Sequence, residues 1–317
     1  MPKLSVVVPC FNEEEVLAEL YRRVTAICQA TVGQEYEIIL IDDGSEDSTW
    51  SLIVRFCESD PHMVGMRLSR NHGHQLALSA GLSIARGERV FIIDADLQDP
   101  PELLPRMMGL MDAGADVVYG RRVQRAGETW FKKISAASFY RVLNRLTDVP
   151  IPVDAGDFRL ISRRIVELLN GMPENHRFIR GMISWLGFRQ VALEYDRQER
   201  SAGTSKYPLR AMIRFALDAI TGFSIRPLRM AMALGVGFGV IAVLGLLYSL
   251  HSWMVGRVVP GWTSVMVAVM VLGSVQLLTI GVIGEYIGRL YVETKKRPLF
   301  LIDKIVRQSC ETPPGNL

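Results

Sequence analysis

The sequence predicts an α/β domain on a mainly parallel sheet, followed by a two-helix membrane hairpin. Apolar, β-rich runs alternate with helical patterns over residues 4–120. Several of those runs end in acidic or polar residues. Further along, two stretches lack Asp, Glu, Lys and Arg over lengths that would cross a bilayer.

The elements follow in order. LSVVVP (4–9) reads as a first strand, with a helix beginning near Asn12. YEIILIDD (36–43) precedes a helix near Asp47–Glu58, and MVGMRLS (63–69) precedes one over Gln75–Ala85. RVFIIDAD (89–96) leads into a helix over Pro100–Ala113, and ADVVYG (115–120) is the fifth strand. Continuous apolar strands separated by helices argue for parallel pairing with both faces covered. Ligands on such sheets bind beyond the carboxyl ends of the strands. The sequence shows no internal repeat and no low-complexity tract.

Met230–Leu250 and Val258–Gly284 are the charge-free stretches. Each supplies the ~20 residues a bilayer core requires. Their glycine content and lack of an amphipathic stripe argue against buried core helices. Arg210, Arg214, Arg226 and Arg229 precede the first span, and Arg289, Lys295, Lys296, Arg297, Lys304 and Arg307 follow the second. Only Arg257 lies between them. The positive-inside rule therefore puts both termini in the cytoplasm. Lys206, Arg210, Arg214 and Asp218 form a polar stripe beside Leu209, Ile213, Leu217 and Ile220, the pattern of an interfacial amphipathic helix. Ser135–Leu146 is a second such candidate. The expected organisation is a catalytic domain over 1–205, a juxtamembrane helix over 206–229, the hairpin over 230–284 and a cytosolic tail over 285–317. The segment after Cys310 is expected to be disordered, and Tyr291–Ile302 is a candidate for pairing with a second copy of the chain.

The formal net charge of +3 is too small for a nucleic-acid footprint. Cys10, Cys28, Cys57 and Cys310 have neither CxxC nor zinc spacing and read as reduced cytosolic thiols. LSVVVP is too short and too β-branched for a secretory leader, so none is expected.

The acids in VFIIDADLQDPPE (90–102) separate by role. Asp99-Pro100-Pro101-Glu102 has the pattern of a helix start, with Asp99 as N-cap and Glu102 at capping-box spacing. Asp94 and Asp96 have no such explanation. In an extended segment residues two apart point the same way. Two carboxylates on one side repel unless a cation joins them, and oxygen ligands beside a diphosphate suit Mg²⁺ or Mn²⁺. Gln98 continues the alternation. Acids at Asn12-Glu13-Glu14-Glu15 and the turn Asp43-Gly44-Ser45 each have an ordinary structural reading as well.

VVVPCFNEEE, IDDGSEDST, LSRNHG…ALSAG, DADLQDPPE, GDFRL and RSAGTSK occur in this order. Together they resemble the family 2 glycosyltransferases of GT-A fold. The polyprenyl-phosphate glycosyltransferases, the group of dolichol-phosphate mannose synthase and bacterial bactoprenol glucosyltransferase, are the nearest in pattern. The resemblance spans nearly the whole chain, and GEYIGRLYVETKKRP (284–298) is similar to the ending of two-span bacterial members, which implies a bacterial inner membrane. It implies that Pro9, Phe11, Glu13, Asp43 and Asp94 line a nucleotide pocket, and that Asp94, Asp96 and Gln98 hold the metal. Asp157 and Asp96 are the implied catalytic residues, and Arg200 and Lys206 the implied phosphate contacts. Phe11 stands where tyrosine is common, which keeps stacking and loses a hydroxyl contact.

The expected reaction is inverting transfer of one sugar from a nucleotide-diphosphate sugar to polyprenyl phosphate. A uridine donor and glucose are expected, with guanosine, mannose and a modified arabinose left open. A lipid phosphate is already a nucleophile at neutral pH, so Asp157 is open to three roles: base, stabiliser of oxocarbenium-like charge, or holder of a sugar hydroxyl. N-capping of RLISRRIVELLNGM is its structural alternative. Two anionic substrates need cations. Arg122, Arg200, Ser205 and Lys206 are the expected phosphate ligands, with Arg121, Arg125, Lys132 and Lys133 left to the surface. The QxxRW motif of the processive cellulose and hyaluronan synthases is missing, which disfavours a processive synthase. The alternative of a silent scaffold is disfavoured by the intact DAD, GDFRL and GTSK segments.

Overall fold

A computed structural model describes residues 1–122, 155–196, 224–255, 261–308 and 310–312. The chain divides into two compact units, one α/β and one helical, and the segment from residue 298 belongs to the first.

Nine strands of the α/β unit, among the described residues, form one sheet in the order β7-β5-β6-β4-β1-β2-β3-β8-β9. The strands are β1 (Leu4–Cys10), β2 (Tyr36–Asp42), β3 (Met63–Leu68), β4 (Arg89–Ile92), β5 (Val117–Arg122), β6 (Ala155–Ser162), β7 (Gln190–Tyr195), β8 (Ile302–Arg307) and β9 (Cys310–Thr312). The pairs β1–β2, β1–β4, β2–β3 and β5–β7 are parallel, whereas β6 and β8 run against their neighbours. The sheet is thus mainly parallel, as the unbroken apolar strands predict. β1 and β2 are buried along their whole length.

Helices α1 (Leu17–Val32), α2 (Thr49–Ser59), α3 (His74–Ile84), α4 (Leu104–Asp112), α5 (Arg163–Gly171) and α6 (Ile179–Leu186) accompany the sheet. Leu17, Leu20 and Val24 of α1, Ile53 of α2 and Met107 of α4 share one core with Val6, Val8, Leu40 and Phe91. α3 packs on β1 and β2 so closely that a Cβ on Gly81 would stand 2.4 Å from a methyl of Val7. Its segment Ala77–Leu82 is wholly buried.

Three readings change. β4 stops at Ile92, so Asp94 and Asp96 stand in the turn beyond the strand, where Leu97 takes φ +58°. Asp99 caps no helix: the first turn after Pro100 is 3₁₀ without a side-chain cap, and Asp99 is 1% exposed. Glu102 pairs with Arg23 at 2.7 Å rather than closing a capping box. In the tail expected to be disordered after Cys310, Glu311-Thr312 belong to β9, which lies antiparallel to β8, itself antiparallel to β3. This covers what would otherwise be an open edge. Residues 313–317, the candidate helix at 135–146 and most of 206–229 lie outside the described residues.

In the helical unit, α7 (Arg226–Met254) and α8 (Trp262–Thr294) have 29 and 33 residues. At 1.5 Å per residue each exceeds the ~30 Å hydrocarbon core. Both are apolar enough to cross a membrane, and Val236, Ile241, Leu277 and Ile280 point outward. Tyr286 of α8 donates to the Ser224 carbonyl at 2.6 Å, fastening the segment that enters α7.

Candidate active site

The parallel strands deliver their carboxyl ends to one edge, where Cys10, Asp42, Leu68, Ile92 and Arg122 close β1 to β5. β6 is antiparallel, so its first residues reach the same edge, with Ala155 opposite Arg121. This places Asp157 there without a strand ending in it. The capping alternative for Asp157 falls away, because α5 begins at Arg163 with Ser162 at its N-cap position.

Loops after β1 and β2 are laced together. Asn12, in the left-handed region at φ 55°, donates its N–H to Ser45 Oγ and accepts from Glu46 N–H. Asparagine tolerates that conformation. Glu13 N–H donates to Thr49 Oγ1 at 2.9 Å. Gly44, at φ 71°, lies where a Cβ would strike the Arg70–Asn71 backbone at 2.7 Å. Asp43 is 3% exposed and its carboxylate accepts N–H groups of His72 and Gly73 at 2.7 and 2.9 Å. Burial pushes the Asp43 carboxyl above its ordinary value, partly opposed by those two hydrogen bonds. Pro9 is buried within β1, while Phe11 is 42% exposed on the edge.

Accessibility alternates along the turn after β4. Asp94, Asp96 and Gln98 are half-buried, whereas Ala95, Leu97 and Asp99 are buried. The Gln98 N–H donates to Asp96 Oδ1 at 3.2 Å. Among the described residues no group of three or more His, Cys, Asp or Glu side chains is placed to hold a metal. Two carboxylates and one amide on one loop form a sparse, hard-oxygen donor set. That set fits Mg²⁺ or Mn²⁺ when substrate phosphate and water complete the shell.

His74 and Gln75, which the sequence patterns above leave out, connect this loop to Asp157. His74 Nε2 lies 2.9 Å from Asp94 Oδ1, and its Nδ1 lies 3.6 Å from Asp157 Oδ2. Gln75 Nε2 donates to Asp157 Oδ2 at 2.9 Å, and Gln75 Oε1 accepts the Ile179 N–H at 2.9 Å. Burial works against a charged His74 ring, but the bond to Asp94 and the charges of Asp94, Asp157 and Asp43 raise it to about 9. Gln75 Nε2 faces His74 Nδ1 at 3.2 Å, and Gln75 cannot flip because Ile179 N–H must find an acceptor.

Asp157 is 8% exposed. Arg180 and Arg159 approach its Oδ1 at 3.5 and 3.9 Å. Burial opposes its ionisation, yet the charges of Arg180, His74 and Arg159 and the bond from Gln75 hold it well below the usual carboxylate range. Arg122 turns inward, 3.5 Å from Asp99 Oδ1, and its Nε donates to Tyr195 Oη at 3.3 Å. Arg121 pairs with Glu194 on the surface. Arg200, Ser205 and Lys206, with Arg125, Lys132 and Lys133, lie outside the described residues. One signal for His74 and Gln75 is present in the sequence: two polar residues open a helix whose next three are apolar, just past a strand end.

Residues 5–169 match glycosyl transferase family 2, and residues 226–290 match the GtrB C-terminal hairpin. The protein described as uncharacterized glycosyltransferase YkcC of Bacillus subtilis is 43% identical over 303 residues, 95% of this chain and 93% of that one. A prophage bactoprenol glucosyl transferase homolog of Escherichia coli is 40% identical over 309 residues, 96% of this chain and 99% of that one. The bactoprenol glucosyl transferase of Shigella phage SfX is 42% identical over 306 residues, 95% and 98% of the two chains. The sheet, the acidic edge and these matches define the class as an α/β glycosyltransferase with a C-terminal helical hairpin. The chain belongs to glycosyl transferase family 2.

Proposed function

We propose that the protein transfers glucose from a UDP-linked donor, with inversion, to polyprenyl (undecaprenyl) phosphate at the cytoplasmic leaflet. The carrying observation is the similarity to the Escherichia coli bactoprenol glucosyl transferase homolog, which runs through both the α/β unit and the hairpin. The domain limits given above belong to this reading, as does a membrane orientation with both termini in the cytoplasm.

Asp94, Asp96 and Gln98 would hold Mg²⁺ or Mn²⁺. Bound there, the ion would neutralise charge on the departing diphosphate. Pro9, Phe11, Glu13 and Asp43 would line the nucleotide, Phe11 offering an exposed ring for stacking. Asp43 would act through the loop it ties to His72 and Gly73. Arg122, Arg200, Ser205 and Lys206 would offset the charge of the two phosphate-bearing substrates.

The acceptor phosphate has a second pKa of about 6 and attacks without giving up a proton in the transition state. A carboxylate held as low as Asp157 is a poor base. Its environment suits an ionised group that stabilises positive charge developing on the sugar, or that grips a sugar hydroxyl. The hairpin keeps the enzyme in the membrane that holds the acceptor. The polyprenyl chain then stays in the bilayer, which avoids an extraction cost of ~0.8 kcal/mol per CH₂.

The test is incubation of the full-length protein in detergent with sugar-labelled UDP-glucose and polyprenyl phosphate. Label should enter the organic phase as a single-sugar product. Label confined to the aqueous phase with every nucleotide sugar tried would refute the transfer, and multi-sugar products would favour a processive synthase.

A further inference from the structure

We propose that His74 and Gln75 are positioning residues that hold Asp94 and Asp157 in one fixed relation. They would thereby set the donor end and the sugar end of the reaction from a single helix. This rests on the functional reading above.

The two residues are consecutive at the start of α3. That helix is anchored by its buried Ala77–Leu82 face and by the close approach of Gly81 to β1. Neither side chain caps it: Gly73 occupies the N-cap position, with no side-chain cap bond. Both reach forward instead. Because a carboxylate only accepts, the 2.9 Å contact with Asp94 Oδ1 makes His74 Nε2 a donor. The Ile179 N–H fixes the Gln75 amide, so Nε2 must be the end that donates to Asp157 Oδ2.

Arg180 and Arg159 stand at 3.5 and 3.9 Å from the other oxygen of Asp157, which has no hydrogen-bond partner among the described residues. They supply charge without direction. Gln75 supplies direction. It also joins β6, through Asp157, to the first residue of α6, through Ile179. Turning either carboxylate to another rotamer would break a hydrogen bond to α3. Metal-bound groups are commonly oriented this way by an outer partner, whose loss costs about 10- to 100-fold in affinity or activity.

The experiment uses the full-length protein in detergent, with Mn²⁺ titrated in the presence of UDP and steady-state transfer measured alongside. His74→Ala should weaken Mn²⁺ binding about 10- to 100-fold, and His74→Gln, which restores a donor, should recover most of the loss. Gln75→Ala should lower kcat about tenfold or more while donor KM and Mn²⁺ affinity stay within about twofold. His74→Phe and Gln75→Glu carry the same comparison should the alanine variants fold poorly by circular dichroism. Mn²⁺ affinity unchanged in His74→Ala or His74→Phe, or kcat unchanged in Gln75→Ala or Gln75→Glu, would overturn the proposal. Mn²⁺ binding needs no acceptor. A wild-type protein that transfers nothing would refute the functional reading, and the titration would still decide the role of His74.

Discussion

Tyr195 donates a hydrogen bond to the carboxylate of Asp99, 96 residues earlier in the chain. Asp99 is 1% exposed, and Arg122 lies 3.5 Å from it. The three residues fasten the loop after Asp94 and Asp96 to β5 and β7. Tyr195→Phe keeps the ring against Phe158, whose centroid is 5.5 Å away, but removes a donor from a buried carboxylate. The expected loss of stability is about 1–3 kcal/mol by urea unfolding. A loss below about 0.5 kcal/mol would show that the bond contributes nothing net.

Asp157 should give the protein an acid-sensitive limb. Burial raises its carboxyl, and Arg180, His74 and Arg159 more than offset this, so its folded value lies below the ordinary one. A depressed folded value means stability fully present above the unfolded pKa of about 3.9 and lost as pH falls through the folded value. The stability difference between wild type and Asp157→Asn should therefore shrink between neutral pH and about pH 3. A difference that is constant or grows on acidification would contradict the assignment. With the carboxylate serving by charge as proposed, transfer by Asp157→Asn should fall on the order of a hundredfold.

At the amino edge of the sheet the same chemistry should matter for folding alone. Glu37 is 3% exposed, accepts from Ser5 Oγ at 2.6 Å and from Arg86 N–H at 2.7 Å, and receives two guanidinium bonds at 3.0 and 2.8 Å. Glu37→Ala should cost about 2–3 kcal/mol, because Arg86 can return to water while Ser5 cannot. Transfer per folded molecule should match wild type. Reduced transfer with unchanged stability would reverse that assignment.

Legibility in the sequence follows the hydrophobic pattern. β1, β2, β3 and β5 are predominantly apolar runs, and their limits are readable to within one or two residues. β4 reads too long because Ile93 and Asp94 continue an apolar-to-acidic run that gives no hint of the positive φ at Leu97. Asp99-Pro-Pro-Glu102 carries a capping pattern, but tertiary partners Tyr195 and Arg122 claim the aspartate. The contacts of Asp157 with Gln75, Arg180 and Arg159 depend on an antiparallel strand inserted between β4 and β5, and no local periodicity encodes an insertion.

The orientation of the hairpin is open to direct labelling. Val255, just past the end of α7, is 56% exposed, while Cys10, Cys28 and Cys57 are buried. With Cys310 replaced by serine, Val255→Cys should react with an impermeant maleimide added outside intact spheroplasts. Lys295→Cys should react only after permeabilisation. The reverse pattern would invert the membrane assignment.

Chelation is the most direct test of the central claim that the Asp94–Asp96 loop holds a divalent cation under the donor diphosphate. EDTA should abolish glucose transfer to polyprenyl phosphate, Mn²⁺ or Mg²⁺ should restore it in the wild type, and neither should restore it in Asp96→Asn. Undiminished transfer in EDTA, or an Asp96→Asn protein as active as wild type, would contradict the account.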